Sequence, residues 1–494
     1  MSPKHRTSLI STHVPLYVLL SASSLALGAC GDSVAESDSN AGSATQITSA
    51  TNATSVTNSG SSGGESESGS ATTGTGSGSA SMSSGSAGTA DSASASGTSD
   101  GSTGGFKLDV AGPDTGVGGD CGCEFSYVWV ANSPEGTVSK INMVTLEEEA
   151  RYLTRADGKG NPSRTSVSLS GDVAVANRAG GLVKFWAEVS DCVESNGIPG
   201  IQTSTGKDDV LPWDQEECRA WYRDFEQITT NERPVAWAQG FVTPGTCNSS
   251  NEKVWTVMSA TKSLIPSLGG PGGVFVHLID GETGQTEKQI EIKTFPGDNF
   301  GAYGGAVNSH GDLYFTSMAF GAGKLARVNI DNFTYQIWDI PSEVGPYGIT
   351  VDHYGKVWLS SISIGGSGAA RFDPDTEEWD FVNGFLTGAG IAEGPDDQIW
   401  VASDQGVNSI DMDTLALGPV FKSEHSIRGV GFDHEGYLWG VSWVGEDEMG
   451  SAVAVKVDTE SLQIIGLYDG LDKPYTYSDF TGNALGNVTC PPPQ

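Results

Sequence analysis

Short runs of apolar residues, each bounded by polar turn residues, recur along the chain after residue 125. The clearest run is GKVWLSS at residues 355–361. Six other segments share its pattern: residues 126–132, 171–177, 252–258, 311–317, 397–403 and 436–442. A strand that returns roughly every 40 to 50 residues is typical of circular or stacked repeat folds, because one unit cannot bury its sheet alone. The pattern therefore predicts a repeat protein with about seven units.

The fifth unit indicates how many strands each unit contains. Turn sequences such as HYG and DPDT separate four β-type runs at residues 346–352, 357–361, 369–373 and 379–382. Four antiparallel strands per unit, repeated around an axis, form the blades of a β-propeller. We therefore expect an all-β protein that folds as a seven-bladed β-propeller.

The two ends of the repeat region indicate that the propeller closes into a ring. The first unit begins directly at its second strand, residues 127–132, with no first strand before it. The segment KPYTYSD at residues 473–479 matches GPYGITV at residues 345–351, where the fifth unit begins. We predict that this C-terminal segment supplies the missing inner strand of the first blade and removes an open sheet edge.

An insertion at residues 188–232 lengthens the spacing between the second and third units. Within it, residues 212–225 place four aromatic residues and a cysteine at helical spacing: Trp213, Cys218, Trp221, Tyr222 and Phe225. This spacing predicts a short helix that packs on the propeller. A lid over the ligand-binding face is the alternative.

The first thirty residues carry the pattern of an export signal. Lys4 and Arg6 precede an apolar stretch at residues 14–27 that is too short to span a bilayer, and LGAC then ends at Cys30. This ending resembles the bacterial lipoprotein processing box, which implies a signal peptide at residues 1–30 and a lipid on Cys30. Because Gly31 is not acidic, we expect an outer-membrane lipoprotein that faces the periplasm or the cell surface. An ordinary secretory signal is the alternative.

Ser, Gly, Thr and Ala dominate residues 31–119. A segment with so few large apolar residues cannot bury enough surface to offset the entropy of ordering it. We predict a disordered linker with a root-mean-square span of about 50 Å. The propeller then occupies residues 120–494.

The formal net charge of −35 excludes some classes of partner. A strongly acidic protein repels nucleic acids and anionic membrane surfaces, so we expect neither to bind the propeller. We expect instead a small molecule, a carbohydrate or a protein as the ligand, bound by a monomer.

Apart from Cys30 the chain has six cysteines: Cys121, Cys123, Cys192, Cys218, Cys247 and Cys490. An even number of cysteines in an exported protein favours disulfides. Because Cys490 follows the predicted closing strand, we predict that it bonds Cys121 or Cys123, which precede the partner of that strand. A second pair is expected among Cys192, Cys218 and Cys247. A metal site at the CGC motif is the alternative.

The repeated sequence resembles a known group of propellers. The fifth unit fits the pattern P-x-G-I-x-x-x-x-x-G-x-[VIL]-W-[LVF]-x-S, followed by a basic residue and D-P-x-T. This pattern resembles the virginiamycin B lyase (streptogramin lyase) family and, more loosely, the gluconolactonase and NHL-repeat propellers. The resemblance to the lyases implies a histidine base after the first-strand proline, and glutamates at the second-strand ends that hold Mg²⁺.

Other residues occupy both sets of positions in this chain. In blade order, the histidine positions hold Tyr475, Ser163, Val235, Tyr303, Tyr347, Ala389 and Arg428. The glutamate positions hold Asn132, Asn177, Met258, Ser317, Ser361, Ser403 and Ser442. We therefore predict a non-catalytic binding protein and assign no catalytic residue. The alternative is a divalent-metal lyase or lactonase whose catalytic residues lie at other positions.

The same alignment places aromatic and cationic residues around one end of the propeller axis: Tyr303, Tyr347, Tyr475, Arg428, Arg178 and Trp443. Aromatic rings beside a cation suit a sugar, a peptide or another amphipathic ligand. A plug of core residues with bonded hydroxyls is the alternative. The resemblance to gluconolactonase-like propellers implies an axial Ca²⁺ or Mg²⁺, for which the candidate ligands are Asn132, Asn177 and Asp404.

Overall fold

The computed structural model describes residues 127–225, 232–242, 249–259, 273–297, 300–318, 323–362, 368–386, 388–443 and 452–490. The predicted signal peptide, lipidated Cys30 and linker therefore lie outside the described residues. Within the described ranges, no helix is both long enough and apolar enough to cross a membrane.

Strands in the described residues form seven blades. The first blade contains β1 (Tyr127–Asn132), β2 (Thr137–Asn142) and β3 (Glu148–Leu153). The second contains β4 (Pro162–Val167), β5 (Val173–Asn177), β6 (Leu182–Phe185) and β7 (Arg219–Arg223). The third contains β8 (Glu232–Ala238), a small hairpin of β9 (Phe241–Val242) and β10 (Ser249–Ser250), then β11 (Lys253–Ser259), β12 (Val274–Asp280) and β13 (Thr286–Ile292).

The remaining four blades are regular antiparallel sheets of four strands each. The fourth contains β14 (Ala302–Val307), β15 (Leu313–Ser317), β16 (Lys324–Val328) and β17 (Tyr335–Asp339). The fifth contains β18 (Pro346–Val351), β19 (Val357–Ser361), β20 (Ala369–Asp373) and β21 (Glu378–Val382). The sixth contains β22 (Ile391–Gly394), β23 (Gln398–Ser403), β24 (Gly406–Asp411) and β25 (Leu417–Phe421). The seventh contains β26 (Ile427–Phe432), β27 (Leu438–Ser442), β28 (Ala454–Asp458) and β29 (Gln463–Tyr468), and α1 (Asn483–Thr489) follows it.

The C-terminal segment completes the first blade, which confirms the predicted closure. Pro474 forms a β-bridge with Asn132. The N–H of Tyr475 donates to the carbonyl of Ala131 over 2.9 Å. The Thr476 hydroxyl accepts a hydrogen bond of 2.9 Å from the Ala131 N–H. A side-chain oxygen thus replaces part of the regular ladder, and the segment is less regular than the inner strands of the other blades.

The closing segment is also in the predicted phase. In the fifth blade Pro346 pairs with Ser361, at the end of the second strand. Pro474 pairs with Asn132 at the corresponding place in the first blade. The alignment of residues 473–479 with residues 345–351 is therefore correct in register.

Tryptophans from the repeated run lie between the blades. The side chains of Trp129, Trp255, Trp358 and Trp439 are all fully buried. Trp129 donates its indole N–H to the carbonyl of Gly171 at 3.0 Å, and Trp255 donates to the carbonyl of Gly311 at 2.8 Å. Both acceptors belong to the turn after the inner strand of the following blade. Trp358 and Trp439 donate instead to Asp352 and Asp433 in the turn of their own blade, at 2.7 and 3.0 Å. In these four blades the tryptophan is therefore a buried residue whose indole N–H is bonded, in two of them across to the neighbouring sheet.

The helix predicted at residues 212–225 is wrong. Arg219–Arg223 forms β7, the outer strand of the second blade, which pairs with β6. The insertion therefore lies within that blade, and its described residues contain only one short helix, the 3-10 turn Val189–Asp191. The open edge of β6 and the Cys192–Cys218 disulfide hold the chain beside the sheet, and this tertiary context overrides the helical spacing of the aromatic residues.

The described insertion lies beside the outer strands of the first two blades. The N–H of Lys207 donates to the carboxylate of Glu148 in β3 at 2.8 Å. The Glu217 carboxylate accepts from the N–H groups of Ser195, Asn196 and Gln202 at 2.6 to 2.9 Å. A buried carboxylate therefore holds the irregular loop in one conformation.

Helix α1 packs against β18, β22 and β26, at one end of the axis. Leu485 and Val488 belong to the hydrophobic core, and the side chain of Asn483 donates to the carbonyl of Glu393 at 3.0 Å. The cavity between the helix and the inner strands measures about 40 Å³. This volume accommodates water but no sugar or peptide.

A disulfide joins Cys192 and Cys218, with 4.5 Å between the two Cα atoms. It confirms that one pair forms among Cys192, Cys218 and Cys247. Cys490 is also disulfide-bonded. Its predicted partners, Cys121 and Cys123, lie outside the described residues, as does Cys247. The identity of that partner and the metal-binding alternative at the CGC motif stay predictions.

Candidate functional site

Bulges in the inner strands position the side chains near the axis. In five blades the pairing of the inner strand with the second strand shifts in register near the start of the inner strand. The axial residues at these shifts are Ser163, Arg233, Tyr303, Tyr347 and Arg428. A β-bulge bends the strand and changes the direction of its side chains. The bulges therefore determine which side chains line one end of the propeller axis, here called the axial site.

Glycines beside these residues allow neighbouring inner strands to approach closely. A Cβ atom on Gly348 would lie 2.3 Å from the carbonyl oxygen of Ala389. A Cβ atom on Gly429 would lie 2.3 Å from the carbonyl oxygen of Thr476. Both separations are far below van der Waals contact, so only glycine fits without a backbone shift.

Four tyrosines from three blades form one hydroxyl network in the axial site. The hydroxyl of Tyr475 lies 3.0 Å from that of Tyr303 and 3.2 Å from that of Tyr347. The hydroxyl of Tyr347 also bonds that of Tyr477. All four side chains are buried. The structure thus brings together the three tyrosines predicted from the sequence and adds Tyr477, which follows Tyr475 on the same face of the closing segment.

Arg164 lies among these tyrosines. Its guanidinium carbon is 4.4 Å from the ring centre of Tyr477, 4.8 Å from that of Tyr303 and 5.8 Å from that of Tyr475. Burial works against the charged form, whereas the surrounding phenol oxygens favour it, and on balance the pKa of Arg164 is raised. The residue is therefore a permanent positive charge stacked on aromatic faces.

Two arginines predicted from the sequence lie near the tyrosines or on the rim of the axial site. The guanidinium carbon of Arg178 is 4.5 Å from the ring centre of Tyr475. Arg428 and Trp443, both half-buried, contact each other on the seventh blade, with 4.8 Å from the guanidinium carbon to the indole. The predicted residues Arg178, Arg428 and Trp443 thus occupy the axial end of their blades, with Arg178 in direct contact with the tyrosine network.

The third blade presents Arg233 where the sequence alignment placed Val235, so that assignment is wrong by two residues. Glu232 pairs with Met258 near the end of the second strand. In the fifth blade the corresponding pair is Pro346 with Ser361, and Tyr347 is the residue after Pro346. Arg233 therefore follows as the axial residue, with its guanidinium carbon 5.3 Å from the ring centre of Tyr303. In this blade the proline, Pro234, follows the axial residue, whereas in the fifth blade Pro346 precedes it.

Sequence reasoning also missed Arg164. Arg164 follows Ser163, as Gly304, Gly348 and Gly429 follow the corresponding residues of other blades. An arginine at a position that holds glycine in the fourth to seventh blades is the signal that identifies it.

The three candidate metal ligands are each hydrogen-bonded locally. The Asn132 amide donates to the hydroxyls of Thr137 and Ser139. The Asn177 amide donates to the carbonyls of Thr154 and Gly181. The Asp404 carboxylate accepts from the N–H of Leu386. In the described part of the chain, no group of three or more His, Cys, Asp or Glu side chains is placed to hold a metal ion.

Two buried carboxyl groups flank the inner strands. The Glu232 carboxylate accepts from the Gly181 N–H at 2.8 Å and from the Thr256 hydroxyl at 3.0 Å, and burial raises its pKa to about 8. Burial also raises the pKa of Asp479, beside α1, to about 6. Glu232 is therefore largely neutral at pH 7 and supplies little negative charge to the axial end.

Several solved structures align with this chain at low sequence identity. Virginiamycin B lyase from Staphylococcus aureus aligns with a TM-score of 0.40 and 14% identity, over 62% of this chain and 83% of that one. A catalytically inactive variant of that lyase with quinupristin aligns with a TM-score of 0.42 and 16% identity, over 64% and 88%. The dihydro-heme d1 dehydrogenase NirN in complex with DHE aligns with a TM-score of 0.41 and 13% identity, over 73% and 76%.

Similarities at this level concern the fold and carry no conclusion about activity. No protein-family model and no curated protein matches the chain. The architecture is a seven-bladed β-propeller, a fold that hosts many unrelated functions.

Proposed function

We propose that this chain is a ligand-binding β-propeller that recognises a small molecule, a carbohydrate or a protein segment through its axial site. The observation that carries the proposal is the convergence of Tyr303, Tyr347, Tyr475, Tyr477 and Arg164 on one end of the axis. Aromatic faces and hydroxyls beside a guanidinium suit a ligand with both apolar and polar surfaces. Helix α1 and a cavity of water size occupy the other end, which favours the tyrosine end for binding.

We further propose that a lipid on Cys30 holds the propeller at the outer membrane, facing the periplasm or the cell surface. The support is the LGAC sequence and the Ser- and Gly-rich segment at residues 31–119. One acyl chain holds a protein only reversibly, and a second acyl chain on the same residue makes the anchoring stable. Cells fed an alkyne fatty acid should label the wild-type protein and not the Cys30→Ser variant, and equal labelling of both would contradict lipidation at this cysteine.

The binding function does not require catalysis. The positions that carry the lyase histidine and glutamates hold Tyr, Ser, Asn and other residues here, and the axial tyrosines bond one another. A divalent-metal lyase or lactonase is the alternative, and metal analysis of the purified protein separates the two functions.

The test of axial binding uses the full-length protein on arrays of glycans and short peptides. Ligands that bind the wild type are re-examined by calorimetry with the double variant Tyr347→Phe/Arg428→Gln. The matched control is Tyr335→Phe/Arg371→Gln, which makes the same changes away from the axis: Tyr335 is exposed on the outer strand β17, and Arg371, on the third strand β20, pairs with Asp380. We expect at least tenfold weaker binding by the axial variant alone. Equal affinity for all three proteins would overturn the axial assignment.

A further inference from the structure

We propose that the axial site selects ligands that carry an oxyanion group, a carboxylate or a phosphate, and that Arg164 is the residue that holds this group. This inference rests on the proposed function, because it names the chemistry that the axial site recognises. The ligand would present its anion to Arg164 and its remaining surface to the tyrosine rings.

The first observation is the unbalanced bonding of Arg164. Its side chain is 1% exposed, and Nη1 donates to the carbonyl of Ser163 at 2.9 Å. Nη2 is buried and has no hydrogen-bond partner, and Arg164 makes no ion pair with any described residue. A buried guanidinium needs both hydrogen bonds and a counter-charge, because a low-dielectric interior does not solvate it. Stacking on tyrosine faces supplies only part of that stabilisation.

The second observation is that Arg164 is not alone. Ser163 Oγ and Thr165 Oγ1 are also buried without hydrogen-bond partners. Three successive residues of β4 therefore each carry a buried polar atom that is not bonded, whereas nearly all such atoms are bonded in folded proteins. Of these atoms, Nη2 of Arg164 belongs to the guanidinium that lies against the axial tyrosines, so this is the place where a polar group from outside the chain would complete the bonding.

The third observation is the type of cation. Three arginines contact the axial tyrosines: Arg164, Arg178 and Arg233. The planar guanidinium matches the geometry of carboxylate and phosphate oxygens and stacks on aromatic rings. Tyrosine hydroxyls add neutral donors around the same space. The formal charge of −35 gives no long-range attraction for anions, so selectivity for an anion has to come from these local contacts.

The probes are compounds that share one sugar and differ in charge. Calorimetry at constant ionic strength compares galactose, galacturonate and galactose 6-phosphate on the full-length protein, with acetate and inorganic phosphate as the anions without a sugar. We expect saturable binding of at least one oxyanion and at least tenfold weaker binding of galactose. The arms with acetate and inorganic phosphate show whether the anion alone suffices.

The variants are Arg164→Gln and Arg164→Lys, with Arg371→Gln as the matched control on an outer part of the fifth blade. Both axial variants should weaken anion binding at least tenfold, the lysine variant because it lacks the planar fork, and the control should bind like the wild type. If Arg164→Gln does not fold, the wild type still decides the matter, since oxyanions should raise its melting temperature and galactose should not.

Two results separate this inference from the proposed function. If no oxyanion binds or stabilises the wild type, while an uncharged array ligand depends on Tyr347 and Arg428, the axial site binds ligands but the inference is wrong. If no ligand of any class depends on the axial residues, both fail, and ordered water is what bonds Arg164.

Discussion

The hydroxyls of Tyr303 and Tyr475 lie 3.0 Å apart in the centre of the propeller, although 172 residues separate them along the chain. Tyr303 belongs to the fourth blade, and Tyr475 belongs to the segment that completes the first blade. This contact crosses the axis, so it exists only when the ring is closed. Closure of the ring and assembly of the axial site are therefore one event.

Removal of the central hydroxyl should destabilise the propeller. Tyr475→Phe breaks the bonds to Tyr303 and Tyr347 and leaves two buried hydroxyls with fewer partners. We expect a loss of about 1 to 3 kcal/mol in the free energy of unfolding, measured by urea denaturation. Tyr335→Phe, on an exposed outer strand, should change it by less than about 0.5 kcal/mol. Equal effects of the two substitutions would contradict the network.

Gly429, where the inner strand of the seventh blade meets the closing segment, should not tolerate a side chain. Gly429→Ala places a Cβ atom 2.3 Å from the carbonyl oxygen of Thr476, so the closing segment has to move. We expect a loss of about 1 to 3 kcal/mol by thermal or urea unfolding. The control is Gly355→Asn, in a turn with open space and a positive φ that asparagine adopts readily. A fully stable Gly429→Ala protein would show that the inner strands are looser than described.

The stability of the protein should depend on the protonation of Asp479. Burial raises its pKa from 3.8 to about 6, so the folded state favours the neutral acid. The contribution of this group is greatest below pH 3.8 and is lost as the pH rises to about 6. Two pH units correspond to about 3 kcal/mol as an upper limit.

Asp479→Asn should therefore raise the free energy of unfolding at pH 7 and flatten its dependence on pH between 4 and 6. The amide oxygen still accepts from the Gly482 N–H, which lies 2.9 Å from the carboxylate. The measurement is a series of urea titrations across this pH range, with Asp413→Asn on an exposed turn as the control. An unchanged pH profile would show that Asp479 does not contribute to it, and a variant that is less stable at pH 7 would contradict the raised pKa.

Loss of the Cys192–Cys218 disulfide should loosen the insertion and leave the blades intact. The two cysteines are 26 residues apart in sequence, and closing a loop of this size contributes about 3.5 kcal/mol in the chain-entropy model. We expect the Cys192→Ser/Cys218→Ser variant to exchange amide hydrogens faster in residues 193–217. Faster exchange throughout the second blade instead would mean that the disulfide holds β7 on the sheet.

Removal of divalent metal should affect neither stability nor axial binding if the protein only binds ligands. The wild type, dialysed against a chelator, should keep its melting temperature within 1 or 2 °C, roughly the precision of such scans. Elemental analysis before dialysis provides the independent measurement. Stoichiometric Ca²⁺ or Mg²⁺ that only a chelator removes would favour the lyase or lactonase alternative.

The blades and the closure of the ring were predictable because both depend on local, repeated features. The apolar second-strand run recurs in every blade because each sheet buries it, and Trp129 and Trp255 also bond the neighbouring blade. The closing segment was recognisable because Pro474 and Tyr475 occupy the same phase as Pro346 and Tyr347.

The remaining features depend on contacts that the sequence pattern does not contain. The aromatic residues around Trp221 have helical spacing, but the open edge of β6 and a disulfide made that segment a strand. The axial residue of the third blade depends on where the bulge lies, so Arg233 was found only from the register of β8 with β11. Arg164 can be identified from the sequence only by comparing, between blades, the residue that follows each axial position.

The seam between the first blade and the C-terminal segment also bears on how fast the protein is degraded. Neither β1 nor the segment from Pro474 onward can peel away without breaking the bonds at Ala131. Fraying from a terminus, the usual first step for a protease, is therefore coupled to opening of the whole ring. The lifetime of the protein in the presence of proteases should follow the rate of ring opening, even where its equilibrium stability is ordinary.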